Sequence, residues 1–368
     1  MKSIILFIIF ICCLIFTSFT KNNTRFVEKK IAILNQDIKI LEKEIEQIRQ
    51  QTSSKGNSSK TLNIYGTLRP VFTVEDDGTD NASDVRDGLS RFGLAGSTPV
   101  LESSKAFFRG EWNIRIADGG QIDGTSSGAR KAYVGIEGEL GRVAIGKQRP
   151  PHYNLIAEHV DIFNHAASPY AYDNVGPFFV DNMTTYQYKV EGLNFQAAFR
   201  SDGASGKDNE DMVNAGVGYN ISNMYVAAAY LKSTSPSTGA GGPNEEGAET
   251  ENVAIAAYIN LEELYLAAAY QAVTQTPEAG SDVDVTTLDV SAAYALPSNY
   301  KVKAGFFVYD DGVDSVASMK HQGGNITLER QLADNVRVHV EYLTKDFDEA
   351  DAISALSVGF RYDFDTDL

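Results

Sequence analysis

From Thr61 to Phe364 apolar and polar residues take turns along the chain. Val336, Val338, Val340 and Tyr342 alternate with Arg337, His339, Glu341 and Leu343. Leu356, Val358, Phe360, Tyr362 and Phe364 alternate with Ser357, Gly359, Arg361 and Asp363. Leu193, Phe195, Ala197 and Phe199 alternate with Asn194, Gln196, Ala198 and Arg200, and Phe108, Trp112, Ile114 and Ile116 with Phe107, Arg109, Glu111, Asn113 and Arg115. Side chains of a strand point to opposite faces in turn, so a period of two predicts strands with one apolar and one polar face. A soluble β-sandwich has the same alternation, so the pattern alone does not choose an environment.

Repetition and loop rhythm choose it. Sixteen such segments begin near Thr61, Leu89, Lys105, Gly128, Gly141, Asp181, Leu193, Met212, Met224, Asn252, Leu264, Val283, Tyr300, Lys320, Asn335 and Ile353. Each is about ten residues long, the length a tilted strand needs to cross the apolar layer of a bilayer. The turns at Glu191-Gly192, Ser222-Asn223, Glu262-Glu263, Pro297-Ser298 and Ala333-Asp334 are brief. The intervening loops, such as Gln148 to Val180 and Ser233 to Glu251, are long. Short turns at one end, long loops at the other and an even strand count predict an all-β, sixteen-stranded antiparallel transmembrane β-barrel, which has no edge exposed to lipid.

The segment before the barrel has a different grammar. Ile4 to Phe16 is the only long apolar run; Lys2 precedes it and Thr17, Ser18 and Thr20 follow. It is shorter than the roughly 20 residues of a membrane-spanning helix and reads as a signal peptide over residues 1–20. Cys12 and Cys13 both lie within it, so the mature chain is expected to carry no disulfide. Val27, Ile31, Leu34, Ile38, Leu41, Ile45 and Ile48 are spaced four, three, four, three, four, three, an unbroken heptad seam among charged residues. Residues 21–51 are therefore expected to form a short coiled-coil helix, about 30 Å over its seam at 1.5 Å per residue. An amphipathic helix laid on another surface is the alternative reading. Residues 52–60 read as a flexible polar linker, 61–364 as the barrel and 365–368 as a C-terminal extension.

Charge narrows the choice of function. A net charge of −17 repels phosphate and argues against nucleic acid. Much of the acid clusters in segments read as loops: Glu75, Asp76, Asp77, Asp80 and Asp84; Glu245, Glu246, Glu249 and Glu251; Asp346, Asp348, Glu349 and Asp351. Solvated loop surface explains them, and capture of divalent cations near an anionic lipid surface is the sharper reading. Of five histidines, His152, His159 and His165 fall in one loop at intervals of seven and six, which is no helical metal motif. No phosphate-binding loop or nucleophile elbow stands in a fitting context, so neither an enzyme nor a metal or cofactor site is expected.

Five stretches carry a family resemblance: "NIYG" at Asn63–Gly66, "SRFGLAG" at Ser90–Gly96, "KAFFRGEWNI" at Lys105–Ile114, "ARKAYVGIEGELGRVAIGKQ" at Ala129–Gln148 and "DNMTTYQY" at Asp181–Tyr188. In order and spacing they resemble the trimeric Gram-negative general diffusion porins. The resemblance implies a homotrimer set in outer-membrane lipid and lipopolysaccharide, and a third loop, here Gln148 to Val180, folded inward to narrow the pore. It implies acidic loop residues, here Glu158 and Asp161, facing wall arginines, here Arg91 and Arg130 by motif. Arg69, two residues from Thr67, is expected to point inward as well. The family's third arginine would precede "VDN", where this chain has Phe179. In the family the last strand ends on an aromatic residue, whereas this chain runs four residues past Phe364.

Three functions follow as expectations. The first is a water-filled outer-membrane channel for passive diffusion of small hydrophilic solutes and ions. The second is an anion- or substrate-selective channel built on Arg69, Arg91, Arg109, Arg115 and Arg130. The third is a barrel anchor whose periplasmic coiled coil links outer membrane and cell wall.

Overall fold

The computed structural model describes residues 60–117, 121–122, 128–164, 170–201, 211–234, 248–277 and 280–368. The signal segment, the heptad seam from Val27 to Ile48 and the linker up to residue 59 lie outside the described residues, as do His165 and loop residues 235–247.

The described chain is one closed antiparallel sheet of sixteen strands. They are β1 (Thr61–Leu68, continued as Pro70–Asp76), β2 (Asn81–Asp87, continued as Arg91–Leu101), β3 (Ser104–Arg115), β4 (Lys131–Gly138), β5 (Gly141–Gln148), β6 (Val180–Val190), β7 (Leu193–Arg200) and β8 (Met212–Ile221). They continue as β9 (Met224–Thr234), β10 (Glu249–Leu261), β11 (Leu264–Thr276), β12 (Val283–Leu296), β13 (Tyr300–Asp310), β14 (His321–Ala333), β15 (Val336–Phe347) and β16 (Ile353–Asp367). A two-residue bridge, Gln121–Ile122, pairs with the end of β3. Each strand pairs with the next, and β16 closes the barrel on both parts of β1, with Asp365 opposite Tyr65 and Val358 opposite Phe72. Closure leaves no row of unpaired backbone groups, which hydrocarbon would not tolerate.

The alternation in the sequence becomes an outer and an inner face. Val134, Ile136, Val143, Ile145, Val213 and Ile255 are exposed, while Asn214, Asn252, Gln271, Glu329 and Glu341 are buried. Apolar residues on the outside and polar ones within is the inverse of a soluble core, and it is what a lipid surround requires. At the short-turn end Glu191, Ser222 and Glu262 take φ of 45°, 55° and 46°, the left-handed backbone of tight hairpins whose twist matches the strands.

Three expectations need correction. The second strand begins at Asn81, not near Leu89, and pairs with β1 through Asp76 opposite Asn81. Hence Glu75, Asp76 and Asp84 lie on strands, and the first long-end connection shrinks to residues 77–80. Glu249, Glu251 and Asp346 lie on strands too. These strands run past the apolar layer, where both faces meet water; the ladder continues but the alternation that reveals it in sequence does not. At the other end Asp365 to Asp367 form no extension. They continue β16, with Asp367 opposite Asn63, whose Nδ2 donates to its carboxylate at 3.0 Å.

The connection between β5 and β6 is described over residues 149–164 and 170–179. It carries helix α1 (Pro151–Leu155) and 3-10 turns at Ala157–His159 and Ala171–Asn174. Leu155, Ile156 and Val160 pack on Ala227 and Ala229 of β9, Ala254 and Ala256 of β10 and Ala267 and Ala269 of β11. Methyl side chains leave the depth that a returning chain needs. Burying Leu155 and Ile156 completely stabilises the contact by about 1.5–3 kcal/mol each.

Polar anchors flank this apolar seat. The His152 amide donates to Asn214 Oδ1 at 2.8 Å, and its Nε2 lies 3.0 Å from Gln271 Oε1. Ser291 Oγ donates to the Val160 carbonyl at 2.8 Å, and Asn164 Nδ2 to Glu329 at 2.8 Å. Asp289 of β12 accepts the amides of Ala171 and Tyr172 at 2.6 and 3.0 Å.

Candidate functional site

An irregularity in the first two strands sets the site. Pro70 has no N–H to give the ladder, so β1 is interrupted at Arg69. The Arg69 amide donates instead to Ser90 Oγ at 2.7 Å, and the Ser90 amide donates to Asp87 Oδ1 at 2.6 Å. Leu89, between them in β2, has φ of 70°, a costly conformation for a residue with a Cβ. This joint fixes Arg69 and Arg91 side by side.

Both arginines face a cavity of about 480 Å³ between the wall and segment 149–179. Arg130, Arg337, Arg361 and Lys303 also reach it from the wall, and Arg149 from the segment. Glu158, Asp161 and Asp173 supply its carboxylates, all from the segment. Cations on the wall thus oppose acids on the returning chain.

Most of the cations have fixed partners. Glu111, 1% exposed, accepts from Arg130 Nε at 3.2 Å, from Lys131 Nζ at 3.3 Å and from Tyr65 Oη at 3.1 Å. Glu329 binds Lys303 at 2.9 Å and Arg337 at 3.5 Å, and Asp363 binds Arg337 at 3.2 Å and Arg361 at 2.8 Å. Arg149 lies 3.9 Å from Glu158. Among the described residues Arg69 Nε donates to Thr67 Oγ1 alone, at 3.1 Å. Among the described residues neither Arg69 nor Arg91 has a carboxylate within 4.0 Å.

Aromatic rings order the remaining groups. Arg149 lies over Tyr153 at 3.8 Å and over Phe179 at 5.4 Å, and Arg130 over Phe179 at 4.6 Å. Tyr153 Oη donates to Asp161 at 2.5 Å. Burial pushes Asp173 up to about 6.

Of the seven charges expected from the sequence, Arg69, Arg91, Arg130, Glu158 and Asp161 share this cavity. Arg109 does not. It faces a second cavity of about 550 Å³, with Nε 2.6 Å from Tyr65 Oη and its guanidinium over that ring. Arg115 faces a third, beside Asp84, Arg86 and Asp87. Sequence reading missed Arg149, Lys303, Arg337, Arg361 and Asp173. Two of these, Arg337 and Arg361, stood on the polar face of strands already recognised. His152 is buried against Gln271 and burial pushes it down to about 4, so it is a neutral anchor. His159 packs on the Tyr225 ring at 4.3 Å. Among the described residues no cluster of His, Cys, Asp and Glu fits a metal ion.

Comparison with known proteins agrees with this architecture. The sequence model of the family described as Gram-negative porin matches residues 51–350. No curated protein sequence matches significantly. Among solved structures the anion-selective porin of Comamonas acidovorans is similar at a TM-score of 0.70 and 16% identity, over 83% of this chain and 100% of that one. OmpF of Salmonella typhi, in complex with daunomycin, is similar at 0.66 and 17%, over 84% and 98%. OmpT of Vibrio cholerae, in its trimer form, is similar at 0.64 and 17%, over 83% and 100%. At these identities the structures speak for the fold, while the sequence match over most of the chain speaks for descent. The chain belongs to the Gram-negative porin family, as an outer-membrane β-barrel channel for passive diffusion.

Proposed function

We propose that segment 149–179 narrows this channel to a charged constriction that favours anions. One observation carries the reading: Arg69 and Arg91 face the cavity with no carboxylate at ion-pair distance among the described residues. Fixed charges set the local potential in a confined pore, and two guanidinium groups without an ion-pair partner among the described residues make that potential positive although the whole chain is acidic. Glu158, Asp161 and Asp173 on the opposite side keep a transverse field, so small neutral and cationic solutes are slowed but not barred. The test is the reversal potential of single channels across a potassium chloride gradient at neutral pH. A chloride-preferring sign supports the reading, and a potassium-preferring sign refutes it.

The working form we infer is a homotrimer in outer-membrane lipid and lipopolysaccharide. OmpT in its trimer form supports this by likeness of fold. Residues 1–20 are read as the export signal, 21–51 as a coiled coil and 52–60 as its tether. With short turns facing the periplasm, the helices of three chains would start close together beneath the trimer. That proximity raises their effective concentration and favours pairing of helices too short to pair alone. A contact with the cell wall is a further role for this coil.

A further inference from the structure

On the outer face of β12 to β16 the ladder sets side chains in rows. Tyr294, Val302, Leu328, Val340 and Val358 stand opposite one another in turn and make one apolar row across the five strands. The next row towards the short turns is Leu296, Tyr300, Arg330, Val338 and Phe360. Tyr300 directly follows the turn at Ser298 and Asn299, so this row lies where the apolar band ends. Arg330 is its one charge and is exposed. Leu328 and Leu332 flank it along β14, 46% and 52% exposed. Arg330 has no carboxylate at ion-pair distance among the described residues, and its guanidinium lies 5.1 Å from the centre of the Tyr300 ring. Lys232, outward-facing at the long-loop end, is placed differently: Glu249 holds it at 2.8 Å and Glu251 at 3.1 Å. A charge facing lipid is costly at the middle of the layer and tolerable at its edge, where an anion of the membrane itself stands at the same depth.

We propose that Arg330 and Tyr300 form a site for the phosphate of a glycerophospholipid headgroup, with the acyl chains lying along Leu328 and the apolar row beyond it. The ring takes one face of the planar guanidinium and leaves its N–H edge free, and that edge matches the oxygens of a phosphate diester. Charge complementarity and depth point to lipid as the occupant. A lipid phosphate is carried to this level by its own chains. A free phosphate ion is strongly hydrated, and one exposed arginine offers it little to exchange for that water. The site ties one particular lipid to the flank of β12 to β16, on the outside of the channel and away from its lumen.

The experiment is native mass spectrometry of the folded protein in detergent micelles, titrated with phosphatidylglycerol and, separately, with a phosphate-free digalactosyl diacylglycerol of the same chains. We expect phosphatidylglycerol to bind about fivefold more tightly than the galactolipid. Arg330→Gln is expected to remove that difference, and Arg330→Lys, which keeps the charge without the planar fork, to retain part of it. Lys232→Gln, an outward charge removed at the other end, is expected to leave it unchanged. Excess inorganic phosphate is expected not to displace the lipid. Equal binding of the two lipids by the parent protein overturns the proposal, and so does undiminished preference in Arg330→Gln. Displacement by inorganic phosphate would make this a general anion site and refute the lipid assignment. Loss of an oligomer in Arg330→Gln with lipid preference intact would show that Arg330 meets a second copy of the chain instead.

Discussion

Arg130 holds its guanidinium over the ring of Phe179, 4.6 Å from the centroid. The ring stands where the family's pattern implies a further arginine. It contributes no charge, but its face attracts cations, and Arg149 lies within reach of it at 5.4 Å. One aromatic side chain thereby organises two arginines from different parts of the chain.

Replacing both Arg91 and Arg130 with glutamine is expected to shift the reversal potential towards cations. Both line the cavity, and both are fixed in position by the strands that carry them. Bilayer recordings under a salt gradient check this. An unchanged potential would place the narrowest point elsewhere.

Glu111→Gln removes a buried carboxylate that binds Arg130, Lys131 and Tyr65. Two cations lose their counter-charge, so anion preference is expected to rise. Stability is expected to drop by about 1–3 kcal/mol, the cost of leaving buried polar partners unsatisfied. The temperature at which the folded barrel loses its compact electrophoretic migration reports the second effect.

Acidification gives a signed test. Asp173, raised by burial to about 6, lines the cavity from the segment side. It is ionised at pH 7.5 and neutral at pH 5, so the cavity loses a negative charge as pH falls through 6. Anion preference is expected to increase over that window. In Asp173→Asn the increase is expected to shrink. A wild-type channel whose selectivity is flat from pH 7.5 to 5 would contradict the assignment.

Asp289→Ala withdraws the acceptor for the amides of Ala171 and Tyr172. The turn at Ala171–Asn174 then loses its tie to β12, and the returning segment gains freedom. Single-channel conductance is expected to rise and its open-state noise to grow. Unchanged conductance and noise would show that the alanine seat alone holds the segment.

Leu34→Glu with Leu41→Glu places carboxylates on the heptad seam, where pairing would bury them without partners. Conductance is expected to survive, while helical content and the heat resistance of the proposed trimer drop. If circular dichroism and heat resistance both match the parent protein, residues 21–51 are a spacer.

Much of the barrel could be read from the chain because its information is local. Alternation names the strands, and tight hairpins such as Glu191-Gly192 set their ends. Arg91 and Arg130 were expected to face inward by motif and Arg69 by its spacing from Thr67, and all three line the same cavity. Arg337, Arg361 and Lys303 had the right parity as well, but parity carries no height along the barrel axis, and height decides which charges meet. Arg149 and Asp173 depend on the path of a loop, which no period describes. Alanines at 227, 229, 254, 256, 267 and 269 give no sign in isolation that together they seat Leu155 and Ile156. Asn81 to Asp87 and Asp365 to Asp367 were misread for one reason: where strands leave the lipid layer, pairing persists after hydrophobic contrast ends.

The junction of β1 with β16 bears on how the molecule forms. Asn63 and Asp365 meet across 302 residues of chain. Bringing such distant ends together costs about 5 kcal/mol in loop-closure entropy before any contact returns it. Every other main pairing joins strands that are neighbours in sequence, so hairpins can add one after another while this zipper stays open. Its two long edges are then the surfaces most exposed to mispairing with another nascent chain. The Asn63 amide, in reach of both Asp365 and Asp367, fastens the last rungs. Of all the pairings in the sheet, this seam carries the largest closure entropy, and Asn63 bridges its last rungs.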